Sequence, residues 1–508
     1  MTAPPKGKDP NNISSSASST SSSVPKKQHP QPKKGTSRNT TPKPTGDFAL
    51  PPPTPVYFEE NGLRKVKPYM FTYHSWAKER WQGRTLIDIY SEFRDRTQEY
   101  YEWAIETGII VVNNRPAKPD QIIQNGDLIS NVSHRHEPPV VSGPIRIIYD
   151  GRLPGNDGKT LVVEKPGSMP IHSTGRYHFN TMLAILKEDY GLEMVHTSNR
   201  LDRLTSGVMI CSLTVQGSKE LGAWFGGQRE TSVKKEYVAR CFGEFPEEGV
   251  VCEEPLLTLD KQIGVNVVHP QGRESKTIFK RMSYDSRSNT SVVHCKPITG
   301  RTHQIRVHLQ FLGHPIANDP IYQNSRAWGD SLGKGGVYSP SAQAARRERG
   351  QLFMESEKQK QGSTGVTATS TVVEGEEGVL RNRLVPDLEL TEGARKAILE
   401  LRGARDETDG WARDRDREAL EKARIHQQQC VSQEQKNREA VEDEKEEAEE
   451  EGGFCRKCFT PLLPDPKPNQ LFIWLHAMRY TTTEWDWKSE LPYWAEESYE
   501  VPLDSILS

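Results

Sequence analysis

Asp202 stands between Arg200 and Arg203 in the stretch N-R-L-D-R-L-T-S-G-V-M, Asn199 to Met209. Two guanidinium neighbours favour the ionised carboxylate and lower its pKa. Thr205, Ser206 and Gly207 supply a tight turn that presents the acid beside a strand expected over Val208 to Ser212. Taken by itself, the stretch reads as a surface ion-pair cluster at a turn. An ionised carboxylate held there is also what nucleophilic or general-base chemistry requires.

Two further stretches carry reactive or polar side chains. In V-K-K-E-Y-V-A-R-C-F-G-E-F, Val233 to Phe245, strand alternation puts Lys235, Tyr237 and Ala239 on one face and Glu236, Val238 and Arg240 on the other. Tyr237 is then a core tyrosine or a platform for a flat ring. In P-I-T-G-R-T-H-Q-I-R-V-H-L, from Pro297, Gly300 makes a sharp turn and Arg301, His303, Arg306 and His308 crowd donors together. Arginine forks suit phosphate and carboxylate oxygens. Read as a strand, Arg301, His303 and Ile305 share one face and Arg306 and His308 the other. These histidines lack an acidic or cysteine partner at ligand spacing, so no metal is expected there.

The elements that must hold these residues alternate apolar segments with Gly and Pro. Short strands are expected over Ile145 to Tyr149 and Leu161 to Glu164, and the pattern continues to about Tyr322. That suffices for one mixed α/β unit, placed at 140–335. It closes with a second ordered piece at 467–500, where Leu471 to Leu475 and the Trp- and Tyr-rich end reappear. Between them, 342–453 is rich in Glu, Arg, Gln and Lys and is expected to be a disordered charged insertion. Within it, Arg413 to Gln435 fits a charged helix and Glu442 to Glu451 a solvated acidic run.

Upstream, 1–55 is a Ser-, Thr-, Pro- and Lys-rich tail that cannot bury enough apolar surface to fold. After an extension at 56–85, Trp76, Trp81, Leu86, Ile87, Ile89, Tyr90 and Phe93 recur at helical spacing, and a second helix is expected over Tyr100 to Thr107. A strand at Ile109 to Val112, a turn at Asn113-Asn114, another turn at Gln124 to Asp127 and a strand at Leu128 to Val132 follow. Two helices and this small β unit, at 86–134, resemble the αL RNA-binding module known from a ribosomal small-subunit protein. His136 to Pro144 reads as a linker.

Composition bounds the rest. With 67 Lys+Arg against 69 Asp+Glu, net charge says nothing about nucleic acid, because the local distribution decides. No apolar run is long enough for a membrane helix. Seven scattered cysteines point to a reducing compartment. The Lys- and Pro-rich tail suits cytoplasm or nucleus better than an Arg-rich amphipathic mitochondrial leader.

Together, R-L-D-R-L-T-S-G, K-x-Y-V-A-R and G-R-T-H-Q-I-R-V-H-L resemble the RluA-type pseudouridine synthases, over about 145–325 and again at Leu475-His476-Ala477. V-V-E-K-P-G-S-M-P-I-H-S-T-G-R-Y-H-F-N-T, from Val162, and A-N-D-P-I-Y, from Ala317, are similar to the eukaryotic branch containing the tRNA pseudouridine-32 synthases. The resemblance implies an α+β fold with a mixed, mainly antiparallel central sheet, an N-terminal αL module and long disordered segments. It implies uridine-to-pseudouridine isomerisation in RNA, at tRNA anticodon-loop position 32, with no cofactor. It places the catalytic acid at Asp202 and substrate contacts at Arg200, Tyr237 and Ile305, with either Arg301 or Arg306 pairing with the acid. Where many relatives have His, this chain has Asn199. A monomer bound to RNA and to no membrane is expected.

Two rival readings fare worse. A zinc nucleobase deaminase would use Cys455-x-x-Cys458, but it also needs H-x-E, and no His here has Glu two places on. As a structural zinc site the C-x-x-C lacks a second pair, so no metal is expected. A non-catalytic RNA-binding protein of the same fold, or a synthase acting on mRNA, is the remaining alternative. Binding alone would not need the carboxylate.

Overall fold

The computed structural model describes residues 53–93, 98–226, 233–260, 263–336, 392–408, 450–451, 454–455 and 464–502. The expectations for the tail at 1–52, for Arg413 to Gln435, for most of the acidic run and for Cys458 lie outside the described residues.

Strands β1 (Tyr57–Glu60) and β2 (Leu63–Val66) form a hairpin, and β3 (Tyr69–Trp76) follows. Then come α1 (Leu86–Tyr90), α2 (Gln98–Glu106), β4 (Ile110–Val112), β5 (Arg115–Pro116), β6 (Leu128–Arg135) and β7 (Val140–Val141). β3, β6, β4 and β5 make an antiparallel sheet in that order. Leu86, Ile89, Tyr101, Ala104 and Ile105 pack on it with Trp81, Ile110 and Val112. Asn113 and Asn114 both take positive φ, 53° and 58°, which is the two-residue turn that matches strand twist. Two boundaries are corrected. The helical spacing read from Trp76 fails, because Trp76 closes β3, whose aromatic and β-branched run suits a strand. The module therefore starts upstream of 86. The stretch 136–144 is no slack linker either: Glu137 accepts the backbone N–H groups of His178, Phe179 and Asn180 at 2.9–3.0 Å, and β7 pairs with β2.

The main body begins with β8 (Arg146–Asp150), β9 (Thr160–Lys165), α3 (Met182–Tyr190), β10 (His196–Thr197), β11 (Ser206–Ser212) and α4 (Val215–Phe225). It continues with β12 (Lys234–Phe242), β13 (Val250–Cys252), β14 (Leu256–Asp260), β15 (Val265–Val268), β16 (Thr277–Asp285), β17 (Thr290–Pro297), α5 (Gln304–Leu312) and α6 (Ser325–Trp328). After α7 (Glu392–Thr408), β18 (Glu450–Glu451) and β19 (Phe454–Cys455), the chain returns as β20 (Leu475–Thr481) and β21 (Asp486–Lys488). The central sheet runs β13-β16-β17-β12-β20-β11-β9-β8 and is antiparallel except where β20 lies parallel to β11. The expected α+β class with a mainly antiparallel sheet is what the chain adopts.

β20 is the strand that matters most for the site. It enters between β11 and β12, so that Ala477 pairs with Gly207 on one side and Tyr237 on the other. Gly207 has φ 118°, and a Cβ there would sit 2.3 Å from the Ala477 carbonyl oxygen. Only glycine allows that approach.

The charged insertion is also corrected. Ala394, Ala397, Ile398 and Leu401 recur at i, i+3, i+4 and i+7 on α7 and are buried with Leu256, Val267, Tyr322 and Trp328. Arg402 Nε donates to Asp260 at 2.7 Å. A four-residue apolar stripe was diluted by the charged residues around it, and that hid it at the level of composition.

Candidate active site

Leu201 anchors the loop before β11, with 6% of its surface exposed, and the Thr205 N–H closes a turn onto the Asp202 carbonyl at 3.1 Å. The loop floor is Lys165, fully buried, whose Nζ donates to the carbonyls of Pro166, Met169 and Arg203 at 2.8, 2.9 and 3.3 Å. Burial pushes this amine down to about 7. Its three acceptors match the three N–H bonds of the ammonium form. One of them belongs to Arg203, next to Asp202, so the lysine fixes the loop that carries the acid.

Arg301 to His303 form a turn, and the stretch from Gln304 is a helix and not the expected strand, so its assumed faces are corrected. Ile305, Val307 and Leu309 alternate like a strand, but α5 is buried on all sides from Gln304 to Gln310, and that conceals the helical period. Gln304 ties the turn before the helix: its Oε1 accepts from the Arg301 N–H and the Thr299 hydroxyl at 3.0 and 2.8 Å. His303 is left in the left-handed region, φ 57°, at the helix start. Strain at such a residue is commonest where a side chain must be aimed.

That aim is toward Asp202. His303 Nε2 lies 3.6 Å and Arg306 Nη1 3.3 Å from Asp202 Oδ2. Arg306 is itself held by Asp319, and its guanidinium is 5.0 Å from the centre of the Tyr322 ring. The Tyr322 hydroxyl accepts the Asn266 N–H at 3.1 Å and lies 3.0 Å from His303 Nδ1. A hydroxyl with that acceptor role filled donates to Nδ1, leaving the His303 proton on Nε2, toward the carboxylate.

Burial raises the Asp202 pKa; protonation of His303 and the charges of Arg306 and Arg200 pull the other way, and the group is held below the ordinary carboxylate value. His303 is pushed down to about 4, by burial first and then by Arg306. At neutral pH it is therefore uncharged, and the arginines supply the field. Asp202 keeps 27% of its side chain exposed, so a substrate can reach it.

The expected set is brought together only in part. Arg306 lies against Asp202, whereas Arg301 is exposed and donates through Nε to the Glu274 carbonyl at 3.0 Å. Arg200 is exposed on the Asp202 loop. The Tyr237 ring is part-buried, and its hydroxyl meets that of Tyr480 at 2.8 Å. Burial, and secondarily the Asp202 charge, push the Tyr237 pKa up to about 12. Ile305, 6% exposed, lies in the apolar cluster against which Tyr237 and Leu204 pack. His308 is structural, bonded to Thr277, Ser275 and the Glu254 carbonyl. The sequence reading missed Lys165, Asp319, Tyr322 and Tyr480. Lys165 had a signal as part of V-V-E-K-P, and Asp319 and Tyr322 as part of A-N-D-P-I-Y; Tyr480 had none.

The family model described as RNA pseudouridylate synthase matches residues 159–311. The chain is 37% identical over 447 residues to the mitochondrial tRNA pseudouridine(32) synthase of Saccharomyces cerevisiae, covering 85% of this chain and 77% of that protein. It is 38% identical to pseudouridylate synthase RPUSD2 of Mus musculus, covering 88% and 74%. A solved human structure, RNA Pseudouridylate Synthase Domain Containing 1, aligns at 25% identity and TM-score 0.30 over 35% of this chain and 68% of that one. The expectation of a cytoplasmic or nuclear protein is corrected here, because the yeast relative is named as mitochondrial and points to that compartment. A Lys- and Pro-rich composition gives charge but no address, and the tail lies outside the described residues.

Proposed function

This chain belongs to the RluA-type RNA pseudouridine synthases, isomerases of uridine in RNA, and from that premise we propose that it acts on tRNA, at anticodon-loop position 32, with Asp202 as the catalytic residue. The observation that carries the site assignment is one ionised, accessible carboxylate aimed at by Arg306 from a different part of the chain. The target nucleotide follows the yeast relative's name.

The reaction breaks the N1–C1′ bond of uridine, turns the uracil and joins C5 to C1′. The C5 proton leaves to solvent and N1 gains one, so no redox partner is required. Asp202 attacks C1′ or removes the 2′ proton, and both routes need the same ionised oxygen. Arg306 keeps that oxygen charged and oriented. Tyr237 offers its ring as a stacking surface for the detached uracil. Drawing the nucleotide from its stack costs a few kcal/mol, least in a loop. Arg200, exposed beside Asp202, is placed to fill the vacated space. Lys234 and the exposed Arg115 and Lys118 of the N-terminal module are placed to meet phosphates.

The test is pseudouridine mapping of total RNA from cells with and without the gene, beside Asp202→Asn complementation. Loss of one anticodon-loop pseudouridine, restored by the unaltered chain and not by Asp202→Asn, is expected. An unchanged position 32 would remove the target assignment, and turnover by Asp202→Asn would remove the site.

A further inference from the structure

His134 and His136 meet Cys455 across 321 and 319 residues of chain, and their ligand atoms all lie within 4.8 Å of one another. Among the described residues this is the one trio of metal-capable side chains that gathers so closely. His134 Nδ1 is 3.5 Å from Cys455 Sγ, and the two imidazoles stand edge to face with centroids 4.9 Å apart. Two ligands on a tetrahedral zinc, with Zn–N about 2.0–2.1 Å and Zn–S about 2.3 Å, sit about 3.6 Å apart for N and S. The observed nitrogen–sulfur distance already fits.

Cys455 is buried, 3% exposed, yet it belongs to none of the four apolar clusters that make up the core. It lies on β19, whose ladder with β18 is two residues long. So short a hairpin has little stability of its own. Among the described residues, no apolar cluster fixes the thiol against the two imidazoles. One thiolate with two imidazoles is a zinc donor set.

We propose that His134, His136 and Cys455 hold a structural Zn2+ ion that pins the returning chain to the N-terminal module. The partners of Cys455 are thus the H-x-H at the end of β6. Cys458 lies outside the described residues. Residues alternating with the histidines point to the main body: Arg135 donates to the Gly175 carbonyl at 3.0 Å, and Glu137 caps the backbone from His178 to Asn180. Between them Tyr177 contacts Arg203 at 3.2 Å, beside Asp202. A metal on one side of this strand therefore braces the grip that the other side keeps on the active-site surroundings.

The experiment measures zinc in the full-length chain, purified under reducing conditions without an affinity metal, and then the absorption of its Co2+-exchanged form. Expected are one zinc per chain, tetrahedral cobalt bands with a thiolate charge-transfer band, and a chelator-induced fall in Tm. Cys455→Ser should lose the charge-transfer band and the chelator response, and His134→Asn with His136→Asn should lose the metal. Circular dichroism of each variant separates metal loss from misfolding, and Cys455→Asp, which keeps an anionic ligand, should retain zinc without the charge-transfer band. A chain that carries no zinc and takes none up on titration overturns the proposal, as does undiminished metal and charge transfer in Cys455→Ser. Every readout is independent of pseudouridine formation.

Discussion

Arg306 is locked to Asp319 by two of its three nitrogens: Nε donates to Oδ2 at 2.7 Å and Nη2 to Oδ1 at 2.8 Å. Only Nη1 remains for Asp202, at 3.3 Å. Asp319 is in turn fixed by the backbone N–H groups of Ile321 and Tyr322 at 3.0 and 3.1 Å. The direction of the charge facing the reactive carboxylate is therefore set by a residue that does not touch it.

This fork makes lysine a poor substitute. Arg306→Lys keeps the charge but loses the planar pair of bonds, and the misplaced cation should lower single-turnover pseudouridine formation by about 100-fold. Arg301→Gln, on an exposed side chain bonded to a carbonyl, should stay within a few-fold. Comparable losses in the two variants would contradict the pairing of Arg306 with Asp202.

Tyr237 separates ring from hydroxyl. Tyr237→Phe breaks the bond to Tyr480 and should cost about 1 kcal/mol of stability in urea unfolding, with activity within a few-fold. Tyr237→Ala removes the stacking surface, worth about 1–3 kcal/mol per base, and should lower the rate by roughly 10- to 100-fold. Equal rate losses would assign the hydroxyl to proton transfer.

The pH profile has a definite sign. Asp202, held below the ordinary carboxylate value, stays ionised as pH falls, and the stability its ionisation contributes is lost only through that lowered pKa. His303, lowered to about 4, binds its proton later than the unfolded chain, so stability falls as pH drops from about 6.5 toward about 4. The single-turnover rate should be flat from about pH 7.5 to about pH 5. An inflection near pH 6.5 that disappears in His303→Gln would show that the histidine titrates during turnover.

Helix α7 is part of the folded body, against the expectation of a disordered charged insertion. Ile398→Ala should destabilise by about 2–5 kcal/mol, read as a lower urea midpoint with unchanged slope. A silent substitution would mean that the buried stripe contributes nothing.

RNA affinity should carry the module's charge. If Arg115 and Lys118 each meet one phosphate, replacing both by Gln should reduce the slope of log affinity against log salt by about 1.4. An unchanged slope would place the phosphate contacts elsewhere.

The Asp202 loop, the tyrosine strand and the arginine-rich stretch were legible as motifs because each is a short local word: an acid flanked by arginines, an alternating strand, donors after a sharp glycine turn. The Asn113-Asn114 hairpin followed from an equally local pattern, whereas the antiparallel character of the sheet came from the family resemblance and not from the strands themselves. The helix at Gln304 to Leu312 was misread because a fully buried helix shows no polar face to reveal its period. The stripe of α7 was missed because four apolar residues vanish in an average over a charged segment.

The chain order alone thus determined which family motifs are present and what local shapes they favour, since backbone preference and side-chain period act over a few neighbours. Tertiary structure decided whom they meet. Arg306 over Arg301 as partner of Asp202, β20 zipped between β11 and β12, and Cys455 against His134 and His136 are contacts spanning about one hundred to more than three hundred residues. Such pairings are selected by the closure of the whole core, whose energy no stretch of sequence holds by itself.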